Sequence, residues 1–153
     1  MRYWLMKTEP GTFGVEHLAA APRSTTAWDG VRNFQARNML RDEVRRGDLA
    51  FLYHSGAVPG IVAVMQIVKQ GYPDPTAFDR KHHHYDPDSD PANPRWFMVD
   101  VQLKRRLART IALEELRAHA GKELKGMVLL RPGNRLSITP VEAAHWKFIL
   151  SLE

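Results

Sequence analysis

The chain has 153 residues, about the length of one ordinary domain, and 44% of them are hydrophobic, which suffices for one packed core. It contains no cysteine, which excludes disulfides, thiolate metal sites and cysteine nucleophiles. Lysine and arginine number 22 against 17 aspartate and glutamate residues, a surplus of +5 that favours nucleic acid as a partner, although many proteins of this charge have none. We predict a single domain over residues 1–153.

Membrane and export signals are weak in this sequence. The most apolar run, at residues 61–68, is interrupted by Gln66 and is far shorter than a membrane span. The apolar part of residues 1–10 is too short for a signal peptide. We therefore expect a cytoplasmic, monomeric protein that does not bind membranes.

Patterns of apolar residues predict the secondary structure in chain order. The first half is predicted to contain a strand at 2–8, a helix at 13–20 that ends before Pro22, a helix capped by Asn33 that ends at 46–48, and a hairpin of strands at 49–54 and 61–68. A long irregular excursion at 72–95 follows, then a half-buried strand at 97–104, a helix at 113–120, and strands at 128–130 and 135–138.

The last helix has the strongest local signal, because Thr139 is a good N-cap, Pro140 suits the first helical position and Glu142 completes a capping box. The hairpin argues against a purely parallel sheet. The predicted fold is therefore α+β, with a curved, mixed and barrel-like sheet of about five to six strands and short helices around it.

The sequence contains no complete catalytic or metal-binding motif. His54 and Ser55, with Asp29 as a third member, suggest a hydrolase, but neighbours on a strand point to opposite faces and no nucleophile elbow is present. Three consecutive histidines at 82–84 could bind a metal, but such side chains rarely face one ion, so a solvated loop is favoured. The acidic run after residue 84 lacks the glycine and glutamate of a calcium loop. No phosphate-binding or dinucleotide-binding loop is present, so we predict no enzyme, metal or cofactor.

Aromatic side chains near fixed polar groups are what an extruded nucleobase requires, since its ring stacks and its edge is read by hydrogen bonds. Trp28 is the strongest candidate, because Asp29 and Gly30 follow it in a turn just before the cap residue Asn33. A tryptophan is more often a core residue than a ligand contact. From composition alone, both interpretations of Trp28 stay open, and Asn33 can equally serve only as a cap.

Longer motifs resemble those of the EVE-domain family, in order and over nearly the whole chain. They are YWLMKTEP at 3–10, WDGVRNFQARN at 28–38, FLYHS at 51–55 with PGI at 59–61, YPD at 72–74, HYDP at 84–87, PRW at 94–96 and RLSITPV at 135–141. The resemblance implies a PUA-like fold, similar to the YTH readers of methylated RNA and the SRA readers of methylated DNA. It also implies binding of a modified base, such as an altered cytosine or adenine, in DNA or RNA.

The resemblance further implies roles for individual residues. Trp28 would form one wall of the base pocket, and the other pocket residues would be Lys7, Thr8, Glu9, Pro10, Asp29, Asn33, Tyr53, His54, Ser55, Tyr85 and Trp96. The candidates for phosphate contacts are Arg32, Arg37, Arg131 and Arg135. Two alternatives stay open, an enzyme that acts on nucleic acid and a protein-interaction module that uses residues 72–95.

Overall fold

Six strands form one mixed sheet in the computed structural model, which describes residues 1–153. The strands are β1 (Tyr3–Thr8), β2 (Thr25–Ala27), β3 (Leu49–His54), β4 (Gly60–Pro73), β5 (Phe97–Ala112) and β6 (Ile138–Val141). Four α-helices accompany them, α1 (Val15–Ala20), α2 (Phe34–Asp42), α3 (Leu113–Ala118) and α4 (Ala143–Ser151). The predicted α+β class and the predicted number of strands are confirmed.

The sheet runs in the order β2-β5-β4-β3-β1-β6, and only the β1–β3 pair is parallel. The predicted β3–β4 hairpin is confirmed. Because β1 and β3 run side by side, Lys7 lies opposite Tyr53 and Thr8 opposite His54 at their carboxyl ends. Polar residues predicted from distant motifs therefore meet at one end of the sheet.

Both faces of the sheet are covered by hydrophobic side chains, as the alternation along each strand requires. Trp4 and Met6 of β1 join one cluster with helix α2, here called the α2-side core. Leu5 joins the other cluster with helix α4, the α4-side core. In β3, Leu52 faces the α2 side and Phe51 the α4 side.

Irregular pairing between β4 and β5 changes which face a residue occupies. Ile61 and Ala63 would share a face in a regular strand, yet Ile61 lies in the α4-side core and Ala63 in the α2-side core. The β4–β5 register shifts between these two residues and at three further places along the pair. Such bulges bend strands and increase twist, so they account for the curvature of the sheet.

Helix α2 begins where the sequence predicts, because the Asn33 side-chain oxygen accepts the backbone N–H of Ala36 at 3.0 Å. Ala36, Met39 and Leu40 are buried at helical spacing and pack it on the sheet. None of the helices combines the length and the apolar character that a membrane crossing requires.

Two predicted elements near the carboxyl end are wrong. Val128–Leu130 is a 3-10 helical turn instead of a strand. Thr139 and Pro140 belong to β6, opposite Leu5 and Trp4, so the final helix starts only after Glu142. Pairing with β1 overrides the local capping signal, and an edge strand tolerates a proline because one row of its N–H groups needs no partner.

Candidate functional site

A cavity of about 460 Å³ opens beside the carboxyl end of β1. Its walls are the β1 end and the turn after it, the segment from β2 to α2, the residue before β6, and a part of the 72–95 excursion. The lining residues are Lys7, Thr8, Thr12, Phe13, Thr26, Ala27, Trp28, Asp29, Gly30, Val31, Arg32, His82, His83, His84 and Ser137. The segment that the sequence singled out, residues 28–32, therefore forms one continuous wall.

Trp28 serves both as a core residue and as a cavity wall. Its side chain is only 7% exposed and belongs to the α2-side core. Its backbone N–H donates to the carbonyl of Val99 in β5 at 2.7 Å, which fixes the ring at the end of β2. The two interpretations of Trp28 that the sequence left open are therefore compatible.

Gly30 lets the chain turn sharply behind Trp28. Its φ is +76°, in the left-handed region that favours glycine. Its N–H donates to Asp74 Oδ2 at 2.9 Å, and a Cβ on it would lie 2.3 Å from Cε1 of His84. The absence of a side chain thus lets the His84 ring pack against the backbone of the cavity wall.

Arg32 ties the same wall to the excursion. Its guanidinium donates to Asp74 Oδ2 at 3.1 Å and to the His84 carbonyl at 2.8 Å, and it lies 5.3 Å from the centre of the Trp96 ring. The structure therefore gives this predicted phosphate contact a set of internal partners. These hydrogen bonds of Arg32 hold the segment that carries the histidines against the cavity.

Asp74 is the fully buried centre of this arrangement, and no role was predicted for it. Burial by itself raises the pKa of a carboxyl, but hydrogen bonds from Thr76, Gly30 and Arg32 outweigh it and hold the pKa of Asp74 below its ordinary value. A carboxylate here stays ionised and balances Arg32. The available sequence signal was the Asp-Pro-Thr order, which is typical of a side-chain-capped turn.

The three histidines converge, contrary to the expectation that consecutive histidines face apart. One nitrogen from each of His82, His83 and His84 lies within 4.8 Å of the others. Burial lowers the pKa of His84, with smaller opposing and reinforcing effects from Asp29 and the two neighbouring histidines. The Nδ1 atom of His84 is buried and has no hydrogen-bond partner.

Lys7 and Asp29 supply polar groups that the protein itself does not use. The Lys7 amine makes no hydrogen bond or ion pair but lies 6.0 Å from the centre of the Tyr53 ring, and partial burial lowers its pKa. The Asp29 carboxylate is 41% exposed, and the nearest titratable side chain is that of His84, whose Nδ1 lies 4.0 Å away. A free acceptor thus remains in the wall of the cavity, whereas the Lys7 amine lies beside Tyr53 of the α4-side core.

Other predicted pocket residues lie outside the cavity lining. Asn33 is exposed and its side-chain oxygen serves the α2 cap. The Ser55 hydroxyl lies 3.2 Å from the Thr8 carbonyl and 3.3 Å from Glu9 Oε2, so it joins the ends of β1 and β3. Glu9 is exposed beside it and Pro10 is half-buried.

Tyr53 and His54 contribute to the fold on different sides of β3. Tyr53 is 4% exposed and lies in the α4-side core, across the sheet from Trp28. His54 Nε2 accepts the backbone N–H of Val15 at 3.1 Å, and burial lowers its pKa. His54 therefore acts at the start of α1 and does not contact Ser55 as a base.

Trp96 and Tyr85 belong to the outer side of the excursion. Trp96 is buried, its Nε1 donates to Asp86 at 2.6 Å, and its ring stacks on Phe34 at 4.9 Å between centroids. Tyr85 is half-buried nearby in sequence. The Phe34 ring is 53% exposed, and the guanidinium of Arg37 lies 5.0 Å from its centroid. Phe34 and Arg37 line a second groove, here called the Phe34 groove, together with Arg41, Asp88, Asp90, Asn93, Pro94 and Arg95.

Arg131 and Arg135 are exposed and make no ion pair or side-chain hydrogen bond. Arg135 is two residues from Ser137, which lines the cavity. The cavity is also lined by residues that were not predicted, Thr12, Phe13, Thr26, Ala27 and Ser137. Small side chains and hydroxyls carry no distinctive sequence pattern, and Phe13 fell within a predicted helix.

Comparison with known proteins agrees with this architecture. The EVE domain family model matches residues 2–152. Thymocyte nuclear protein 1 of Homo sapiens is 47% identical over 167 residues, which cover 99% of this chain and 73% of that protein. The crystal structure of the human THYN1 protein in complex with 5-methylcytosine containing DNA matches with a TM-score of 0.93 at 46% identity, over 99% of this chain and 97% of that chain. A crystal structure of a Pseudomonas putida protein matches with a TM-score of 0.91 at 40% identity, over 98% of each chain. The predicted PUA-like fold is thereby confirmed, and the chain belongs to the EVE domain family.

Proposed function

We propose that this chain is a non-catalytic binding module that recognises a modified nucleobase in nucleic acid, with the base held in the cavity beside Trp28. The observation that carries the proposal is the match to the human THYN1 protein in complex with 5-methylcytosine containing DNA, at 46% identity and over 99% of this chain. Methylated DNA is therefore the first ligand to test, and RNA with the same modification is the second.

The cavity suits an extruded base chemically. Trp28 offers an aromatic surface, and a stacked base contributes about 1–3 kcal/mol of binding free energy. The Asp29 carboxylate can accept a hydrogen bond from the exocyclic amino group of cytosine or adenine. A volume of about 460 Å³ leaves room for a base with an added methyl group.

A binding role is also favoured by the way the hydrolase candidates are used. His54 accepts a backbone N–H at the start of α1, and the Ser55 hydroxyl is engaged by the β1 end. No nucleophile and base are paired across the cavity, as acyl or phosphoryl transfer by side chains requires.

The direct test is binding of fluorescent oligonucleotides that differ only in one base. Plain cytosine, 5-methylcytosine and 5-hydroxymethylcytosine are compared in single-stranded and double-stranded DNA and in RNA, at two salt concentrations. We expect tighter binding of a modified strand at both salt concentrations, because phosphate contacts weaken with salt for all strands alike. Equal affinity for every strand would contradict the proposal and leave a general nucleic-acid binder.

The pocket assignment has its own test in Trp28→Leu, which removes the aromatic surface and keeps apolar bulk. Trp146→Leu is the matched control, because Trp146 is also buried but lies in the α4-side core. We expect Trp28→Leu to lose most of the preference for the modified strand and Trp146→Leu to retain it, with folding of both checked by circular dichroism. A retained preference in Trp28→Leu would place the base elsewhere.

Asp29→Asn tests recognition of the base edge. The change keeps the size of the side chain and removes its charge, so we expect weaker binding of the modified strand. Asp42→Asn is the control, since Asp42 is an exposed carboxylate on α2 outside the cavity.

A further inference from the structure

The three histidines of the cavity wall are not explained by base recognition. A reader needs aromatic surface and hydrogen-bonding groups, and Trp28 and Asp29 already provide both. The ring centroids of His82 and His83 are 4.6 Å apart, and those of His83 and His84 are 3.9 Å apart. Protonated imidazoles at these distances would repel, so the cluster forms most readily from neutral rings, which are the form that binds metals.

We propose that His82, His83 and His84 form a binding site for a borderline transition-metal ion of the Zn²⁺ class at the wall of the cavity. The nitrogens lie within 4.8 Å of one another. In a tetrahedral zinc site with Zn–N distances near 2.0–2.1 Å, ligand nitrogens are separated by about 3.3 Å, so small side-chain rotations bring them into position. Imidazole ligands select Zn²⁺, Ni²⁺ and Cu²⁺ over Mg²⁺ and Ca²⁺.

Asp29 supports the assignment as an orienting group. His84 Nδ1 is buried and without a partner, and the Asp29 carboxylate lies 4.0 Å from it, slightly beyond hydrogen-bond distance. A histidine that binds metal through one nitrogen commonly donates its other N–H to a carboxylate. Metal binding through the opposite nitrogen would place a proton on His84 Nδ1 and draw Asp29 to it.

His82 is the weakest of the three ligands. Its Nδ1 accepts the backbone N–H of His84 at 3.0 Å, which places the ring proton on Nε2. Binding of a metal through Nε2 requires the other tautomer and breaks this hydrogen bond. We therefore expect affinity below that of a closed structural zinc site, and a smaller loss from His82→Ala than from His83→Ala or His84→Ala.

The test uses the full chain without an affinity tag, because a polyhistidine tag would bind the same ions. Isothermal titration with ZnCl₂ and NiCl₂ is expected to show one equivalent bound, and MgCl₂ none. His83→Ala is the informative variant, because His83 is exposed and its substitution leaves the packing of the protein interior unchanged. We expect the Zn²⁺ affinity of His83→Ala to fall at least tenfold. The Zn²⁺ affinity of Asp29→Asn should fall roughly tenfold, because His84 is then no longer oriented by the carboxylate.

His119→Ala is the control, because His119 lies beside a carboxylate, 3.2 Å from Glu123, but away from the cavity. Its Zn²⁺ affinity is expected to match the parent chain. Binding of Co²⁺ followed by visible absorption reports the ligand geometry independently of nucleic-acid binding. The proposal is overturned if the parent chain binds no Zn²⁺, or if His83→Ala binds it as the parent chain does. If His83→Ala has a lower melting temperature, His83→Gln replaces it in the same titration.

Discussion

The buried carboxylate of Asp74 accepts the backbone N–H of Gly30 at 2.9 Å, across 44 positions of the chain. The same oxygen accepts a hydrogen bond from Nη1 of Arg32. The other oxygen accepts hydrogen bonds from both the N–H and the hydroxyl of Thr76. One side chain thus joins the Trp28 turn to the start of the excursion that carries the histidines. This connection holds the Trp28 turn and the excursion together, and both of them line the cavity.

Asp74→Asn is expected to lower the free energy of unfolding by about 1–3 kcal/mol, because it weakens charge-assisted hydrogen bonds and leaves Arg32 without its buried counter-charge. Urea unfolding at neutral pH measures the change. Asp79→Asn is the control, since Asp79 is an exposed aspartate of the same excursion. If Asp74→Asn and the parent chain have equal free energies of unfolding, the Asp74 carboxylate does not stabilise the fold as proposed.

Asp74 also predicts a pH dependence of stability. Its pKa in the folded protein lies below that of an unfolded aspartate, about 3.9. The unfolded state therefore takes up the proton first, so the stabilisation is complete above about pH 5 and is lost as pH falls through the folded pKa. In urea titrations between about pH 6 and pH 2, the free energy of unfolding of Asp74→Asn should fall less steeply with acid than that of the parent chain. Parallel curves would contradict the assignment.

Gly30→Ala is expected to destabilise the chain and to disturb the cavity. Alanine at φ +76° is strained, and its Cβ would lie 2.3 Å from Cε1 of His84, so the imidazole must move. Gly133→Ala separates the two effects, because Gly133 has a φ of +74° and no heavy atom within 4 Å of an added Cβ. We expect about 1 kcal/mol of destabilisation in both from strain alone, and a further loss only at Gly30. Thermal melting and oligonucleotide binding of the two variants are compared. Equal melting temperatures and equal affinities would show that the His84 ring can move away from an alanine at position 30 without cost.

Helix α2 and strands β1 and β3 were predictable from sequence. Asn33 caps α2 as expected, and the alternation in β1 and β3 produced the two-faced core. The end of the chain was mispredicted because Thr139 and Pro140 carry a good local helix-start signal, while their pairing with β1 is a long-range contact. A local sequence pattern contains no information about the burial that pairing with a distant strand provides.

The site was predictable only where a motif is contiguous. Trp28 and Asp29 were predicted because they adjoin in one unusual turn, and both line the cavity. Asp74 and His84 were not assigned a role, since their contacts with Gly30 and Arg32 span 44 and 52 positions. Tyr53 looked like a pocket residue from its motif, but the two-residue period of β3 turns its ring to the opposite face.

Arg135→Ala is expected to weaken binding of modified and plain strands by the same factor. Its side chain is exposed and unpaired close to Ser137 at the cavity, so it is free to contact phosphate. Removal of one phosphate contact should reduce the slope of log affinity against log salt by about 1. Arg106→Ala is the control, because the Arg106 guanidinium is engaged by Glu16 at 2.6 Å. An unchanged slope in Arg135→Ala would place the backbone of the nucleic acid elsewhere.

The Phe34 groove predicts a second contact with nucleic acid, next to the base cavity. Phe34 stacks on Trp96, and the guanidinium of Arg32, which lines the cavity, lies 5.3 Å from the centre of the Trp96 ring, so Trp96 connects the two sites. An exposed aromatic ring flanked by guanidinium groups, those of Arg37 and Arg95, suits a nucleotide that neighbours the recognised base. Phe34→Ala should therefore cost about 1–3 kcal/mol of binding free energy for modified and plain strands alike.

The distinction from Trp28→Leu makes this prediction specific. Trp28→Leu is expected to lose most of the preference between strands, whereas Phe34→Ala should lower both affinities and keep their ratio. Val58→Ala controls for the loss of an exposed apolar side chain, since Val58 is 74% exposed and lies in neither the cavity nor the groove. Fluorescence polarisation with long and short oligonucleotides completes the test, because a strand that ends at the modified base has no nucleotide to place on Phe34. If Phe34→Ala weakens both lengths equally, the ring supports the fold of the excursion instead of contacting the strand.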